Sequence, residues 1–565
     1  MVVRRRPVSS LALLISLFLV LSPLVAVLAG SGLDRSALFA VLEPEARKLF
    51  LDSIEIAAVA ALTGLALGGP FALLVAGARS PLRRALLFLA LLVLAMPPYL
   101  AAAGWIDFMG PVGRVALVLS RLSGGGAEED ARRLMLPGFV YTVPSAGIVL
   151  GASYFPLVAF AVAAADRRLD RRLVEVARLG RGRGGVLKTT SSLLGPAALG
   201  GALLVFAVAL TDFATPMILR VRTLDELLHD QLQEFAFARA AGLGLPLVLV
   251  VLAAGGIGAF LAAPRRVASV AGLEGDAPSF ALRELTGAGK LLALATGTAA
   301  LLPGLVFPVL SLVLQARTAP LENKGEGASF ARFRVALARA WEVSRDEVVR
   351  TVLIAAVSAT VALLLAAFAG RLLGRARRRE AALTGALAIG LAVPAPLVGL
   401  GLIELWNPAL ASKSGVFSWV FSLRAWVYDG SAVLLLGYLA RFLPVAILLA
   451  RTGFARVPPE LEEAAALSGR GRRESARRVV LPLAAPGLVA GWLAIYVLAV
   501  AEFGTSVLVC PPGSNVLSVS VVNQVHIGQG PAVAANALLL LLAVALPVPA
   551  ALVAYVLASR RGGSA

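Results

Sequence analysis

The feature that most constrains the fold is the recurrence of apolar runs long enough to cross a lipid bilayer. Only 15% of the 565 residues are charged, whereas soluble proteins carry about 25%. Runs of about 20 apolar residues predict transmembrane helices. The sequence therefore predicts an all-α polytopic membrane protein with about twelve transmembrane helices, six and six. The predicted spans fall near 11–29, 53–77, 85–106, 138–165, 197–219, 241–263, 290–315, 350–373, 381–404, 431–450, 485–508 and 533–557.

The net charge of +19 reflects topology and does not indicate nucleic-acid binding. Most of the cations are arginines in short loops that alternate onto one side of the predicted membrane, as the positive-inside rule requires. Both termini and the Arg-rich segments 166–196 and 452–484 are therefore predicted to be cytoplasmic. The basic start Met1–Arg6 and the apolar run after it favour an uncleaved signal anchor over a cleaved signal peptide.

Composition argues against an enzyme active site in this chain. Cys510 is the one cysteine, and His229 and His526 lie far apart, so no metal site, no intrachain disulfide and no catalytic residues are predicted. The sequence contains no Gly-x-x-x-x-Gly-Lys-Ser/Thr phosphate loop. Any energy for transport must then come from a separate subunit or from a gradient.

Matching motifs indicate an internal duplication. Asp212-Phe213-Ala214-Thr215 corresponds to Glu502-Phe503-Gly504-Thr505 at an offset of 290 residues. A parallel duplication with an even number of spans gives both copies one orientation, which predicts domains at 1–263 and 290–565 joined by a cytoplasmic linker at 264–289. Further corresponding pairs are Phe155-Pro156 with Leu443-Pro444, Pro196 with Pro486, Gly201 with Gly491, and Met96-Pro97-Pro98 with Val393-Pro394-Ala395-Pro396.

A hydrophilic helix-turn-helix in the second predicted domain has the pattern of a docking device. Glu463-Ala464-Ala465 is followed by three residues and Gly469, then by nine residues, Val479, one residue and Leu481-Pro482. The alanines permit close packing, Gly469 permits a turn, and Glu463 is expected near the helix start, where the helix dipole favours an anion.

This pattern resembles the coupling-loop signature of ATP-binding-cassette (ABC) importer permeases, at every position. The resemblance extends over nearly the whole chain, is closest to the iron(III)-type permeases, and implies two fused six-helix type I permease domains in a bacterial or archaeal cell (inner) membrane. It implies two copies of a cytoplasmic ABC ATPase, which would use ATP and Mg, and an extracytoplasmic substrate-binding protein. No cofactor is expected on this chain. Iron(III) is the substrate favoured by resemblance, with thiamine, polyamines, phosphonates or other small solutes as alternatives.

The first Arg-rich segment departs from the same signature. Glu175-Val176-Ala177 is followed by Gly180 at a spacing one residue shorter, and no Leu-Pro pair follows. We interpret Glu175, Ala177 and Gly180 as the partner coupling loop, with Gly180 or Gly182 as the turn. The difference predicts asymmetric coupling, in which Gly469 substitutions damage transport more than Gly180 substitutions.

The duplicated acidic motif places ionisable residues inside predicted spans, where they face protein or water. Asp212 and Thr215, with Glu502 and Thr505, are candidates for the lining of a cation pathway. The alternative is that each acid fixes helix packing through a neighbour, and Arg441 is the candidate partner of Glu502. A gradient-driven secondary transporter and a membrane scaffold are the rival functions, and neither requires coupling loops.

Overall fold

The computed structural model describes the chain over fourteen stretches of residues. They are 7–30, 35–77, 80–111, 113–123, 136–166, 171–262, 287–319, 329–373, 377–407, 418–455, 457–468, 471–527, 530–547 and 549. The regular structure within these ranges is helical throughout, as predicted. Most of the proposed linker 264–289 lies outside the described residues.

The structure describes twelve α-helices before residue 263. They are Pro7–Gly30 (α1), Arg35–Phe39 (α2), Pro44–Gly77 (α3), Ser80–Ala95 (α4), Pro98–Met109 (α5), Arg114–Ser123 (α6), Leu136–Phe139 (α7), Val143–Asp166 (α8), Arg171–Leu210 (α9), Ala214–Ile218 (α10), Leu224–Gln233 (α11) and Phe237–Ala262 (α12). A short 3₁₀ turn, Ala40–Leu42, precedes α3. We call α3 to α12 the N-terminal bundle.

The helices after residue 286 repeat this order. They are Gly287–Ala299 (α13), Phe307–Ala316 (α14), Phe330–Leu373 (α15), Arg377–Ala392 (α16), Ala395–Trp406 (α17), Ser418–Asp429 (α18), Ala432–Phe454 (α19), Pro459–Leu467 (α20), Arg472–Ser475 (α21), Leu481–Ala501 (α22), Ser506–Val509 (α23), Leu517–Ile527 (α24) and Gly530–Ala545 (α25). Five-residue π-helical turns precede α14 and α22. We call α15 to α25 the C-terminal bundle.

The described helices account for nine to eleven of the twelve predicted spans. Nine are long and apolar enough to cross a membrane, and two sharply bent pairs, α4 with α5 and α16 with α17, raise the number to 11 if each pair is one span. The predicted span near 533–557 contains the shorter apolar helix α25, and most of its remainder lies outside the described residues. The molecule is thus a polytopic α-helical membrane protein.

Proline breaks the third predicted span of each predicted domain, 85–106 and 381–404. The helix axis bends by 90° between α4 and α5, and by 98° between α16 and α17. Pro97 and Pro394 stand at these bends. Because proline disfavours helical conformation at the residue before it and lacks a backbone donor, a turn there is cheaper than a continuous helix.

Equivalent helices pack in the same way in both bundles. In the N-terminal bundle α8 packs against α3 and α9, and in the C-terminal bundle α19 packs against α15 and α22. The matched glycines Gly201 and Gly491 lie in these contacts. Gly201 faces Val158 of α8 and Gly491 faces Ala446 of α19, so that both the glycines and their partners are separated by nearly the same offset.

The short helices α11 and α24 are anchored to their bundles by equivalent hydrogen bonds. The Ser53 hydroxyl of α3 accepts a hydrogen bond from the backbone N–H of Leu224 at 3.1 Å. The Thr351 hydroxyl of α15 accepts one from the N–H of Leu517 at 2.9 Å. Each hydroxyl therefore satisfies a free donor at the start of a short helix, α11 or α24.

The first helix of each set crosses to the other bundle. Helix α1 packs against α15, α17 and α19, whereas α13 and α14 pack against α3 and α5. Glycines permit the close approach: Gly401 of α17 lies against the backbone of Pro23, and a Cβ added at Gly104 of α5 would lie 2.7 Å from the Cα of Pro308. The bundles are thus joined by a reciprocal exchange of helices.

Candidate functional site: two docking segments and a polar cluster between the bundles

We call the Arg-rich segments 166–196 and 452–484 the N-terminal and C-terminal docking segments. The C-terminal docking segment contains the predicted short helix, which starts earlier in the chain than expected. Helix α20 begins at Pro459, and the acids of its first turn are Glu460 and Glu462. Proline suits a first helical position because its missing N–H has no intrahelical partner there. The expectation that Glu463 lies near the helix start was therefore wrong, because this residue lies at mid-helix and is exposed.

One face of α20 is anchored and another is open. Ala465 is buried, and Glu462 pairs with Arg371 at the end of α15 with an N–O distance of 3.1 Å. Ala464 is exposed, and Leu467 is 89% exposed. Gly469, the predicted turn, lies outside the described residues.

The second part of this segment runs into the following span as one helical path. Helix α21 leads through the π turn Ala476–Val480 into α22, which begins at Leu481 and has Pro482 at its start. Such a π turn inserts extra backbone into the helix without breaking it. Leu481-Pro482 therefore starts the span, and no break separates it from the preceding segment.

The turn of the N-terminal docking segment is Gly182. Helix α9 is kinked at Arg181 and Gly182, where Gly182 has φ +56° and ψ −148°. This backbone region is essentially restricted to glycine. Gly180 lies in the preceding helical turn with open space around it, so Gly182 is the turn of the two candidates that the sequence left open. Glu175 is exposed and Ala177 half-buried, and Leu179 is 88% exposed.

A shared tetrapeptide relates the two docking segments more closely than the glutamates do. Gly180-Arg181-Gly182-Arg183 recurs as Gly469-Arg470-Gly471-Arg472, at an offset of 289 residues. The signature anchored on Glu175 misses this match because the acid is displaced by one position relative to the glycines. In both segments a nearly fully exposed leucine precedes the tetrapeptide by no more than two residues.

The duplicated acids cap the short helices that follow each docking segment and its span. Asp212 Oδ1 accepts a hydrogen bond from the N–H of Thr215 at 2.9 Å. Glu502 Oε1 accepts one from the N–H of Thr505 at 2.8 Å. Each carboxylate thus satisfies a free donor near the start of α10 or α23, a local reason for the acid-to-threonine spacing.

The two acids differ in their second partners. Arg441 of α19 donates to both carboxylate oxygens of Glu502, at 2.6 and 2.7 Å, which confirms the predicted pairing. Asp212 accepts a hydrogen bond from the Tyr154 hydroxyl at 3.0 Å. The position 288 residues before Arg441 is Ser153, so the N-terminal bundle lacks the matching cation.

The phenylalanines of the duplicated motif meet between the bundles. The rings of Phe213 and Phe503 are parallel, with centroids 5.8 Å apart. The His229 imidazole lies 5.1 Å from the Phe213 ring, and burial lowers the pKa of His229. Tyr99 lies beside Phe503 at 6.5 Å. An aromatic layer therefore adjoins the acidic pair.

Two members of this cluster carry no warning in the sequence. Tyr99 of α5 precedes Asp212 by more than 100 residues and Asp225 of α11 follows it by 13, and both lie within electrostatic range of Asp212. Neither residue belongs to a repeated motif. The one available signal was the presence of an acidic residue, Asp225, in a segment between predicted spans. Hydrophobic periodicity does not show whether such a residue is buried.

Comparison with known proteins bears on the C-terminal part of the chain. Residues 340–560 match the family model described as "Binding-protein-dependent transport system inner membrane component". This part, which includes the C-terminal docking segment and Glu502, is therefore related to permease components of binding-protein-dependent transport systems.

Curated relatives agree with this class over shorter stretches. The chain is 37% identical over 109 residues to the inner membrane ABC transporter permease protein YdcU of Escherichia coli, covering 19% of this chain and 35% of the relative. It is 30% identical over 103 residues (18% and 37%) to the trehalose transport system permease protein SugB of Mycobacterium tuberculosis. It is 27% identical over 156 residues (27% and 67%) to the putative molybdenum transport system permease protein YvgM of Bacillus subtilis. The chain thus spans little more than a third of the first two relatives.

Proposed function

We propose that this protein is the fused permease subunit of an ATP-driven ABC importer, with both permease domains in one chain. The observation that carries the proposal is the pair of docking segments. Each presents an almost fully exposed leucine within two residues of a Gly-Arg-Gly-Arg sequence that precedes a predicted span. A partner that docks on these segments would cover both leucines.

The partner that fits these surfaces is a cytoplasmic ABC ATPase, bound in two copies. Helix α20 is tied to α15 through the Arg371–Glu462 pair and packs against α21 and the π turn that lead into α22. A push on α20 would therefore reach two spans of the C-terminal bundle. Closure of the ATPases on ATP and Mg would move both docking segments and switch the bundles between inward- and outward-facing states. Both chain termini would then be cytoplasmic, and a substrate-binding protein would dock on the opposite side.

The polar cluster between the bundles is the proposed route for the substrate. Asp212 and Arg441 are only half-buried, and Thr215, Glu502 and Thr505 lie directly against them. The capping bonds of the two acids also support helix packing, so both interpretations of the acids stand. Transport by Asp212→Asn and Glu502→Gln variants of unchanged stability separates them, because normal transport removes the pathway role.

Iron(III) remains the first substrate suggested by resemblance. Among the described residues, no group of three histidine, cysteine or acidic side chains could hold a metal ion, so iron would have to pass in a chelated or hydrated form. Among the relatives with named cargo are trehalose and molybdenum systems. Identification of the ligand of a binding protein that docks on this chain would decide the substrate.

Co-purification with an ABC ATPase from the source cells tests the importer proposal. We expect the ATPase to bind the intact chain, and Leu467→Arg or Leu179→Arg to weaken binding at least tenfold. Val343→Arg is the matched control, since Val343 is also exposed (81%) but lies near the opposite end of α15 from Arg371. An intact chain that binds no ATPase yet transports with a proton or sodium gradient would instead establish the secondary-transporter alternative.

A further inference from the structure

The N-terminal bundle contributes a buried carboxylate with one unpartnered oxygen. Asp225 lies in α11 with 3% exposure, and its Oδ1 has no hydrogen-bond partner among the described residues. The carboxylate is within electrostatic range of Asp212 and Arg441. Helix α11 also packs against α17 of the C-terminal bundle, so Asp225 stands at the interface between the bundles.

Two buried hydroxyl groups belong to the same cluster. Thr215 Oγ1 adjoins the Asp212 carboxylate without a hydrogen bond of good geometry, and the Tyr99 hydroxyl has no hydrogen-bond partner in the described parts of the chain. In the C-terminal bundle the equivalent Thr505 hydroxyl donates to the carbonyl of Ala395 at 3.4 Å. Buried polar atoms are nearly always hydrogen-bonded in proteins. Thr215 therefore lacks the carbonyl acceptor that Thr505 has, and the Tyr99 hydroxyl, within electrostatic range of both Glu502 and Asp212, is left for a ligand.

Charge is unbalanced on the same side. The cluster contains the carboxylates of Asp212, Asp225 and Glu502 but one guanidinium, that of Arg441, which pairs directly with Glu502 and acts on the other two acids at longer range. Where the C-terminal bundle has this built-in cation, the N-terminal bundle has Ser153 and Tyr154. Burying a charge without a counter-charge is strongly unfavourable. A ligand that brings positive charge and hydrogen-bond donors would satisfy the carboxylates and both hydroxyls together.

We propose that Asp225, Asp212, Thr215 and Tyr99 form a binding site for a positively charged group with N–H or O–H donors. An alkylammonium and a hydrated metal cation share this chemistry. The site takes cargo of positive charge and disfavours anions, and Arg441 holds the corresponding place in the C-terminal bundle. That the site lies on the transport route rests on the proposed function; that it binds a cation does not.

The test uses the purified full-length protein in lipid nanodiscs at constant ionic strength. The probes are 1,4-diaminobutane and magnesium chloride, with trehalose and molybdate as neutral and anionic comparisons. Isothermal titration measures binding, and the midpoint of thermal unfolding reports stability. We expect at least one cation to bind and to raise the midpoint, and Asp225→Asn to weaken that binding at least tenfold. Asp230→Asn is the matched control, because Asp230 lies on the same helix but is exposed and pairs with Arg222.

The two cationic probes distinguish an ammonium ligand from a hydrated metal ion, and the comparison ligands and variants show whether the proposal fails. Binding of 1,4-diaminobutane assigns an ammonium, and binding of magnesium alone assigns a hydrated metal. The proposal is overturned if neither cation binds, if Asp225→Asn binds as the unmodified protein does, or if molybdate or trehalose competes. Thr215→Val is the second variant if Asp225→Asn does not fold, with the same expected loss. ATPase co-purification is run alongside, so that loss of the importer proposal is distinguished from loss of the cation site.

Discussion

The ring of Phe213 stacks on that of Phe503 with an angle of 4° between the planes. The two phenylalanines occupy equivalent positions in the duplicated motif and come from different bundles. Each follows immediately after an acid that caps a short helix, so the stack lies beside the polar cluster. Any movement that separates the bundles at this level must part the two rings, which makes the stack a natural closure of the proposed route.

Replacement of either ring by leucine should loosen this closure. Phe213→Leu and Phe503→Leu keep an apolar side chain but lose the aromatic pair, which is worth about 0.5–1.5 kcal/mol. We expect each variant to transport less substrate per ATP hydrolysed, and the double variant to be no worse than the single ones. Phe330→Leu is the control, since its stacking partner Phe333 lies on the same helix. Coupling ratios measured in proteoliposomes decide the matter, and additive losses would argue against a shared contact.

Removal of Arg441, the partner of Glu502, should destabilise the protein far more than removal of the Tyr154 hydroxyl, the partner of Asp212. Arg441→Met leaves Glu502 without its counter-charge, and breaking one side of a buried pair costs about 3–5 kcal/mol. Tyr154→Phe removes one hydrogen bond to Asp212, at about 1 kcal/mol. Thermal unfolding of both variants checks this order. Arg441→Met combined with Glu502→Gln should recover part of the loss, and equal shifts for Arg441→Met and Tyr154→Phe would contradict the ion-pair account.

Two neighbouring glycines of the N-terminal docking segment should respond in opposite ways. Gly182→Ala forces a side chain into a backbone region that only glycine adopts readily, at about 1–3 kcal/mol. Gly180→Ala adds a good helix former with nothing within 4 Å, so it should be neutral or slightly stabilising. ATPase binding affinity is the measurement, and a larger defect in Gly180→Ala would refute the assignment of the turn.

The degenerate N-terminal signature still predicts asymmetric coupling. Gly469→Leu should reduce transport more than Gly180→Leu, which stands at the matched position of the shared tetrapeptide. Transport rates at equal expression level report the difference. Equal defects in Gly469→Leu and Gly180→Leu would show that both segments couple alike.

Glycines at the helix exchange should resist substitution. Gly104→Ala and Gly401→Ala place a methyl group against the backbone of a crossing helix, and overpacking of this kind costs about 1–3 kcal/mol. Gly385→Ala has nothing within 4 Å and serves as the helical control. We expect the thermal midpoint to fall in the first two variants and not in the third. An unchanged midpoint for Gly401→Ala would mean that α1 does not rest on α17 as described.

The sequence by itself determined the local features of this protein. Apolar length sets the spans, because a helix that crosses a bilayer must cover about 30 Å of hydrocarbon. Proline at 97 and 394 predicts matching irregularities, and the acid-to-threonine spacing is that of a helix cap. The sequence also indicates Arg441 as the partner of Glu502, because Arg441 lies inside a predicted span, where cations are few.

Only the tertiary structure decided which distant residues meet. The exchange of α1 and α14 between bundles, the arrival of Asp225 beside Asp212, and the stacking of Phe213 on Phe503 join positions that no periodicity relates. Of Gly180 and Gly182, the structure places the turn at Gly182, where α9 is kinked and the backbone has a positive φ. Composition and spacing act over a few helical turns, whereas these contacts depend on how whole helices cross, and crossing is set by the packing of all their neighbours.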